Sequence, residues 1–158
     1  MAKVDINKVK RLRELTGVGI TDAKAALVEA GGDFDKALAA MRQKGLTKAA
    51  KRAEREARAG LIGTYSHDGR IGVVVEVNCE TDFVARTDEF KELVKDICLQ
   101  IAASESEDVE ALLKEPYIKN LEIIVGDLIK EHIAKLGENI VVKRFSRLVL
   151  GEVDQAKK

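Results

Sequence analysis

His67 and His132 are the only imidazoles of the chain, and Cys79 and Cys98 are its only thiols. An imidazole does acid–base work, or holds a metal, only beside a carboxylate, a thiol or a second imidazole at a defined spacing. Neither histidine has such a neighbour in sequence. Glu131-His132 lacks the second histidine of a metalloprotease helix. The two cysteines are not spaced as a redox pair, and each reads as a small buried hydrophobe. Gly17-Val18-Gly19 lies between two helical patterns rather than after a strand, so it is not a phosphate-cradling loop. Residues remote in sequence can still meet in space, but the expectation is no catalytic residue, no metal ligand and no cofactor.

One stretch stands apart. Asn78-Cys79-Glu80-Thr81-Asp82-Phe83-Val84-Ala85-Arg86 follows a strand pattern and precedes a helical one. Thr81 or Asp82 can cap the following turn, because both side chains accept from free backbone N–H groups at a helix start. Phe83 has two readings. It enters the core, as most phenylalanines do, or a rigid strand-to-helix turn presents it as a wedge to a partner.

The elements that must hold these residues are bounded by composition. The chain has 158 residues, 46% hydrophobic and 34% charged, which is globular and long enough for a core of its own. Lys and Arg number 27 against 27 Asp and Glu. That balance argues against binding nucleic acid over the whole surface, which needs a standing excess of cations. Apolar runs such as Ile71 to Val77 are far too short to span a bilayer. The N-terminal residues lack the apolar core of a signal peptide and the pattern of a transit peptide. A cytoplasmic protein with reduced thiols is expected, with no membrane association.

Along the chain, Asp5 caps a helical pattern of Ile6, Val9, Leu12 and Leu15, ended by Thr16 to Gly19. Thr21 is placed as the cap of a second helix with Ala23, Ala26, Leu27 and Ala30 inside, stopped by Gly31-Gly32. Asp33 starts a third, with Phe34, Ala37, Leu38 and Met41 inside, closed by Gly45. Residues 46–59, rich in Ala, Lys, Arg and Glu, read as a solvated connecting helix. The period then alternates. Leu61 to Ser66 and Arg70 to Asn78 form a hairpin about His67-Asp68-Gly69, with Ile71, Val73, Val75 and Val77 on one face. Two helices follow, one carrying Phe90, Leu93, Val94, Ile97 and Ile101, the other running from about Leu121 to Leu136, with an acidic connection between them. A last strand, about Ile140 to Leu150, sets Ile140, Val142 and Leu148 on one face and Val141, Phe145 and Val149 on the other. The fold class is α+β: an N-terminal three-helix bundle (1–45), a linker helix (46–59), a small three-stranded antiparallel sheet packed with helices (60–152), and a flexible tail (153–158).

Several of these stretches together resemble the translation elongation factor Ts family. They are Val9 to Gly19 (VKRLRELTGVG), Asp22 to Leu27 (DAKAAL), Gly32-Asp33, Asn78 to Arg86, and Leu136 to Ile140 (LGENI) leading into Lys143-Arg144-Phe145. The resemblance covers about Asp5 to Glu152 and keeps its order. It implies a UBA-like N-terminal module and a guanine-nucleotide exchange factor for the GTPase elongation factor Tu that binds no nucleotide itself. Thr81, Asp82, Phe83 and Val84 match the family's intruding motif, with Phe83 as the ring that wedges near the GTPase's magnesium site. Leu136 and Gly137 match the helix-end turn beside it, and Arg13, Ile20 and Lys24 match positions facing the GTPase. Where the family often has Met-Met-Asp-Cys-Lys, this chain has Ile20-Thr21-Asp22-Ala23-Lys24. Longer members carry two copies of the core module; this sequence shows one. The resemblance therefore implies a homodimer paired through the sheet (60–152), with His67 of the hairpin reaching the GTPase across it.

Two rival functions leave parts of the sequence unused. A peptide-binding adaptor built on the helical module leaves Thr81-Asp82-Phe83 without a role. RNA binding through Lys48 to Arg58, five basic residues against two acidic, competes with the ordinary reading of a solvated charged face.

Overall fold

The computed structural model describes residues 4–153. The chain forms two compact units, one of residues up to Arg55 together with Ile129–Asn139, the other of Glu56–Leu128 with the residues from Ile140 onward.

In the first unit, α1 (Ile6–Thr16), α2 (Ile20–Glu29) and α3 (Phe34–Arg52) form the expected bundle. Asp5 Oδ1 accepts from the Asn7 N–H at 2.8 Å, and Gly17 ends α1 in the left-handed conformation at φ 67°. Val9, Leu12, Ala23, Ala26, Leu27, Ala37 and Met41 make the core. Such short helices are marginal alone, and this shared apolar face is what holds them. Thr21 is not a cap: α2 begins at Ile20 after an extended Gly19, without a side-chain cap.

Gly45 does not end the third helix. A lone glycine costs a helix about 1 kcal/mol, which the strong helix formers after it offset. Its missing side chain is used instead, since a Cβ there would lie 3.2 Å from the Ala134 Cβ. The expected linker helix is thus the last part of α3, to Arg52, followed by turn and coil up to Ala59. It is not fully solvated either. Ala49 is buried, and the Arg52 guanidinium donates to the Ile133 carbonyl at 3.2 Å.

In the second unit, β1 (Ala59–His67), β2 (Ile71–Cys79) and β5 (Ile140–Val149) form an antiparallel sheet in the order β1-β2-β5. Between β2 and β5 the chain runs through α4 (Asp82–Ala85), α5 (Asp88–Ala103), α6 (Val109–Lys114), a two-stranded pair β3 (Pro116–Tyr117) and β4 (Asn120–Ile124), and α7 (Val125–Leu136), whose residues from Ile129 onward belong to the first unit. The β1–β2 turn has positive φ at both Asp68 and Gly69, as a tight hairpin with right-handed twist demands. Val73, Val75 and Val77 are buried against α5, whose Phe90, Leu93, Val94, Ile97 and Ile101 are buried in turn.

Three local expectations are corrected. The helix expected from Leu121 starts at Val125, and Leu121 to Ile124 are strand. A short continuous apolar run does not declare its period, and here pairing with Pro116–Tyr117 decides it. The acidic connection holds a one-turn helix, α6, capped by Asp108 Oδ1 accepting from the Ala111 N–H at 2.8 Å. The face assignment of β5 holds only for its first half. Opposite Glu76 and Val77 the register jumps from Arg144 to Val142, so Lys143 is a bulge. Beyond it the parity flips: Phe145, Arg147 and Val149 are half-buried, while Leu148 is exposed. Of the expected tail only Val153 is described; 154–158 lie outside the described residues.

Candidate partner-binding site

Thr81-Asp82-Phe83-Val84 sit where β2 gives way to helix. Thr81 is extended (φ −131°, ψ 154°), and its hydroxyl accepts from the Val84 N–H at 3.4 Å, so it is Thr81 rather than Asp82 that caps α4. The Thr81 carbonyl accepts from the Ala85 N–H at 3.2 Å and from the Cys79 Sγ–H, also at 3.2 Å. The turn closes at its far end through Thr87, whose hydroxyl donates to the Val84 carbonyl at 2.7 Å and accepts from the Phe90 N–H at 3.2 Å.

Cys79 and Ala85 are buried beneath this turn, while Thr81 and Asp82 are exposed and Val84 is half-buried. Phe83 is 85% exposed. The core reading of Phe83 is therefore wrong: the helical turn buries Ala85 and leaves the ring outside. Burying such a ring is worth about 1.5–3 kcal/mol, and the isolated chain forgoes it. A rigidly anchored, solvated aromatic ring is a group shaped to be covered by something else.

His67 lies at the other end of the same hairpin. The ladder runs from Ala59 opposite Cys79 to His67 opposite Ile71, which separates His67 from the turn by roughly 25 Å at about 3.3 Å per residue. The Tyr65 hydroxyl is 2.9 Å from His67 Nδ1, and Asp68 Oδ2 lies 3.7 Å from Nε2, all at the exposed hairpin tip. The fold thus does not bring His67 together with Thr81–Val84.

The remaining expected residues belong to the helical unit. Ile20 and Lys24 are exposed one turn apart on one face of α2, and Arg13 is exposed in the last turn of α1. Leu136, half-buried, ends α7, and Gly137 (φ 77°) donates its N–H to the Ile133 carbonyl at 2.9 Å. What the sequence reading missed is Cys79's grip on the Thr81 carbonyl. Strand alternation places the thiol inside but says nothing of where its proton points.

No group of three or more His, Cys, Asp or Glu capable of holding a metal occurs among the described residues. Burial pushes the Cys98 thiol up to about 11, which leaves it protonated and unreactive at neutral pH. No described helix is long and apolar enough to cross a membrane.

A family model described as elongation factor TS matches residues 80–156, beginning just before the Thr81 turn. The elongation factor Ts of Synechococcus sp. (strain JA-3-3Ab) is 46% identical across 94% of this chain and 70% of its own length. That of Thermoanaerobacter sp. (strain X514) is 45% identical across 94% of this chain and 96% of its own, and that of Gloeobacter violaceus 43% across 96% and 91%. These alignments span 195–199 positions, more than the 158 residues here, so the relatives carry segments opposite gaps in this sequence. With identity of this order running through both compact units, the chain belongs to the elongation factor Ts family, a family of translation elongation factors.

Proposed function

We propose that the protein is a guanine-nucleotide exchange factor, not an enzyme of covalent chemistry. It binds elongation factor Tu carrying GDP, promotes release of GDP and its magnesium ion, and so lets GTP enter. The observation that carries this reading is Phe83, 85% exposed on a turn anchored on both sides. The ring, with Thr81, Asp82 and Val84, inserts beside the magnesium site. Arg13, Ile20 and Lys24 of the UBA-like module, and the Leu136-Gly137 turn, grip the GTPase. The factor itself takes no nucleotide, nucleic acid or cofactor, and it works in the cytoplasm.

Magnitudes require this division of labour. A thousandfold faster release needs about 4 kcal/mol of differential stabilisation, at about 1.36 kcal/mol per tenfold. Burying one phenylalanine contributes roughly 1.5–3 kcal/mol, so the ring needs the other contacts. Coupling between nucleotide and factor is reciprocal, so nucleotide rebinding ejects the factor by the same ratio in which the factor weakens nucleotide.

The core module is also proposed to pair two copies through the outer face of its sheet. Ile62, Val74 and Leu148 are exposed there by 62%, 49% and 74%. His67 of one copy then reaches the GTPase held by the other. Monomeric mass at micromolar concentration removes the dimer from this scheme.

The deciding measurement is release of a fluorescent GDP from elongation factor Tu. Native protein accelerates it. Phe83→Ala keeps its circular dichroism and melting temperature, because the ring supports nothing in the isolated fold, yet slows release at least tenfold. Unchanged release by the variant refutes the wedge.

A further inference from the structure

The helical unit holds a cavity of about 310 Å³ that the exchange function leaves unused. All of its lining residues belong to this one compact unit. Its aliphatic lining is Leu15, Ala25, Ala26 and Met41 from the three helices, Val18 from the turn between α1 and α2, and Ala134 from α7, with the polar Thr16 beside them. Apart from His132, no ring lines it. Stacking platforms are how proteins hold nucleobases and other flat ligands, so this lining selects a flexible hydrocarbon instead.

The mouth is charged and unbalanced. Arg42, Lys44, Lys48 and Lys135 stand around it, against Asp22 and Glu131. Glu131 lies 3.6 Å from the Arg42 guanidinium, which turns one acid toward a base of the rim. Lys44 reaches Glu29 at 3.9 Å, but both side chains are mostly in water, where such a pair is worth little. Every charged residue that α3 contributes to the opening, Arg42, Lys44 and Lys48, is therefore a base beside the aliphatic lining. At about 30 Å³ per water-sized group, the volume takes on the order of ten non-hydrogen atoms.

We propose that this cavity is a binding site for a medium-chain aliphatic carboxylate. The hydrocarbon enters among Leu15, Val18, Met41 and Ala134, and the anionic head stays at the Arg42, Lys44 and Lys48 edge of α3. Because α7 forms one wall and ends at Leu136-Gly137, an occupant would lie against the helix that carries that turn.

The test uses the full chain and decanoate as probe, with decylammonium and decanol as matched controls. Calorimetry should give saturable one-site binding of decanoate, at least tenfold tighter than decylammonium. Methyl NMR shifts should concentrate on Leu15, Val18, Met41 and Ala134. Ala25→Phe, which fills the well, should abolish binding. Lys48→Glu, at an exposed position that leaves the fold intact, should weaken it at least fivefold. Absence of saturable binding overturns the proposal. So does equal affinity for decylammonium, or binding that Lys48→Glu leaves unchanged. None of these readouts involves the GTPase, so the exchange function stands or falls separately.

Discussion

Cys98 shows how a single side chain can carry a measurable pH dependence. Its thiol is buried, and a Cβ on Gly63 of the facing strand would come within 2.8 Å of its sulfur. In the fold it keeps its proton up to about 11, against an ordinary value of 9.0, because burial penalises the thiolate. The folded state then holds more protons than the unfolded one between those values. Its contribution is complete below pH 9 and is lost as pH rises toward 11. Urea unfolding of the native protein and Cys98→Ala should therefore show a stability gap that narrows from pH 9 to 11; a constant gap would place the thiol in water. At this scale the sequence was readable where local chemistry rules. A cap at Thr81 or Asp82 followed from residue type, with Thr81 the one that caps, and Cys79 and Cys98 are the buried thiols expected of cysteines not spaced as a redox pair. The exposure of Phe83 was left open, because only the packing of Ala85 beneath the turn decides it.

Elements were legible in proportion to how much of their period is local. The helices capped by Asp5 and Asp33 and the Asp68-Gly69 hairpin came through, since each is signalled within a few residues. The second half of β5 did not, because its parity depends on Lys143 bulging against β2, a fact of pairing across 60 and more residues of chain. The bulge makes a sharp prediction. Deleting Lys143 leaves Arg144 opposite Glu76 and Phe145 inward, and the bond from the Arg144 Nε–H to Glu76 at 2.8 Å can persist. Inserting one alanine after Phe145 instead turns Arg147 and Val149 outward and carries Leu148 in. The deletion should cost about 1 kcal/mol or less, the insertion several, on the usual scale for core disruption. Urea midpoints measure both, and equal losses would contradict the bulge. The Leu121–Ile124 strand belongs to the same lesson: four residues do not separate a strand from the start of a helix, and its partner Pro116–Tyr117 carries no alternation to announce it.

At the scale of the whole chain, the least readable fact is that the N-terminal helices are finished by residues from far downstream. Nothing in Ile129–Asn139 names Ala53 or Arg55 as its neighbours. Yet the Asn139 side-chain amide, buried, donates to both carbonyls, at 3.3 and 2.7 Å, and these are backbone groups just past the end of α3. Asn139→Ala leaves them without that donor, and a lost hydrogen bond of this kind costs about 0.5–1.5 kcal/mol. The expected loss is of that size and reads out as faster hydrogen exchange toward the end of α3; unaltered exchange there would show that the two acceptors are satisfied by water instead.

That long-range clasp also sets a timetable. Arg55 and Asn139 are 84 residues apart in the chain. At about 5–20 residues per second, synthesis takes roughly 4–17 s to cover that distance. The N-terminal bundle, with its own core, can form early, but the end of α3 waits those seconds for the amide that completes it. A nascent chain stalled in the interval would carry a formed bundle with an unfinished seam, the stretch of the molecule most open to a protease.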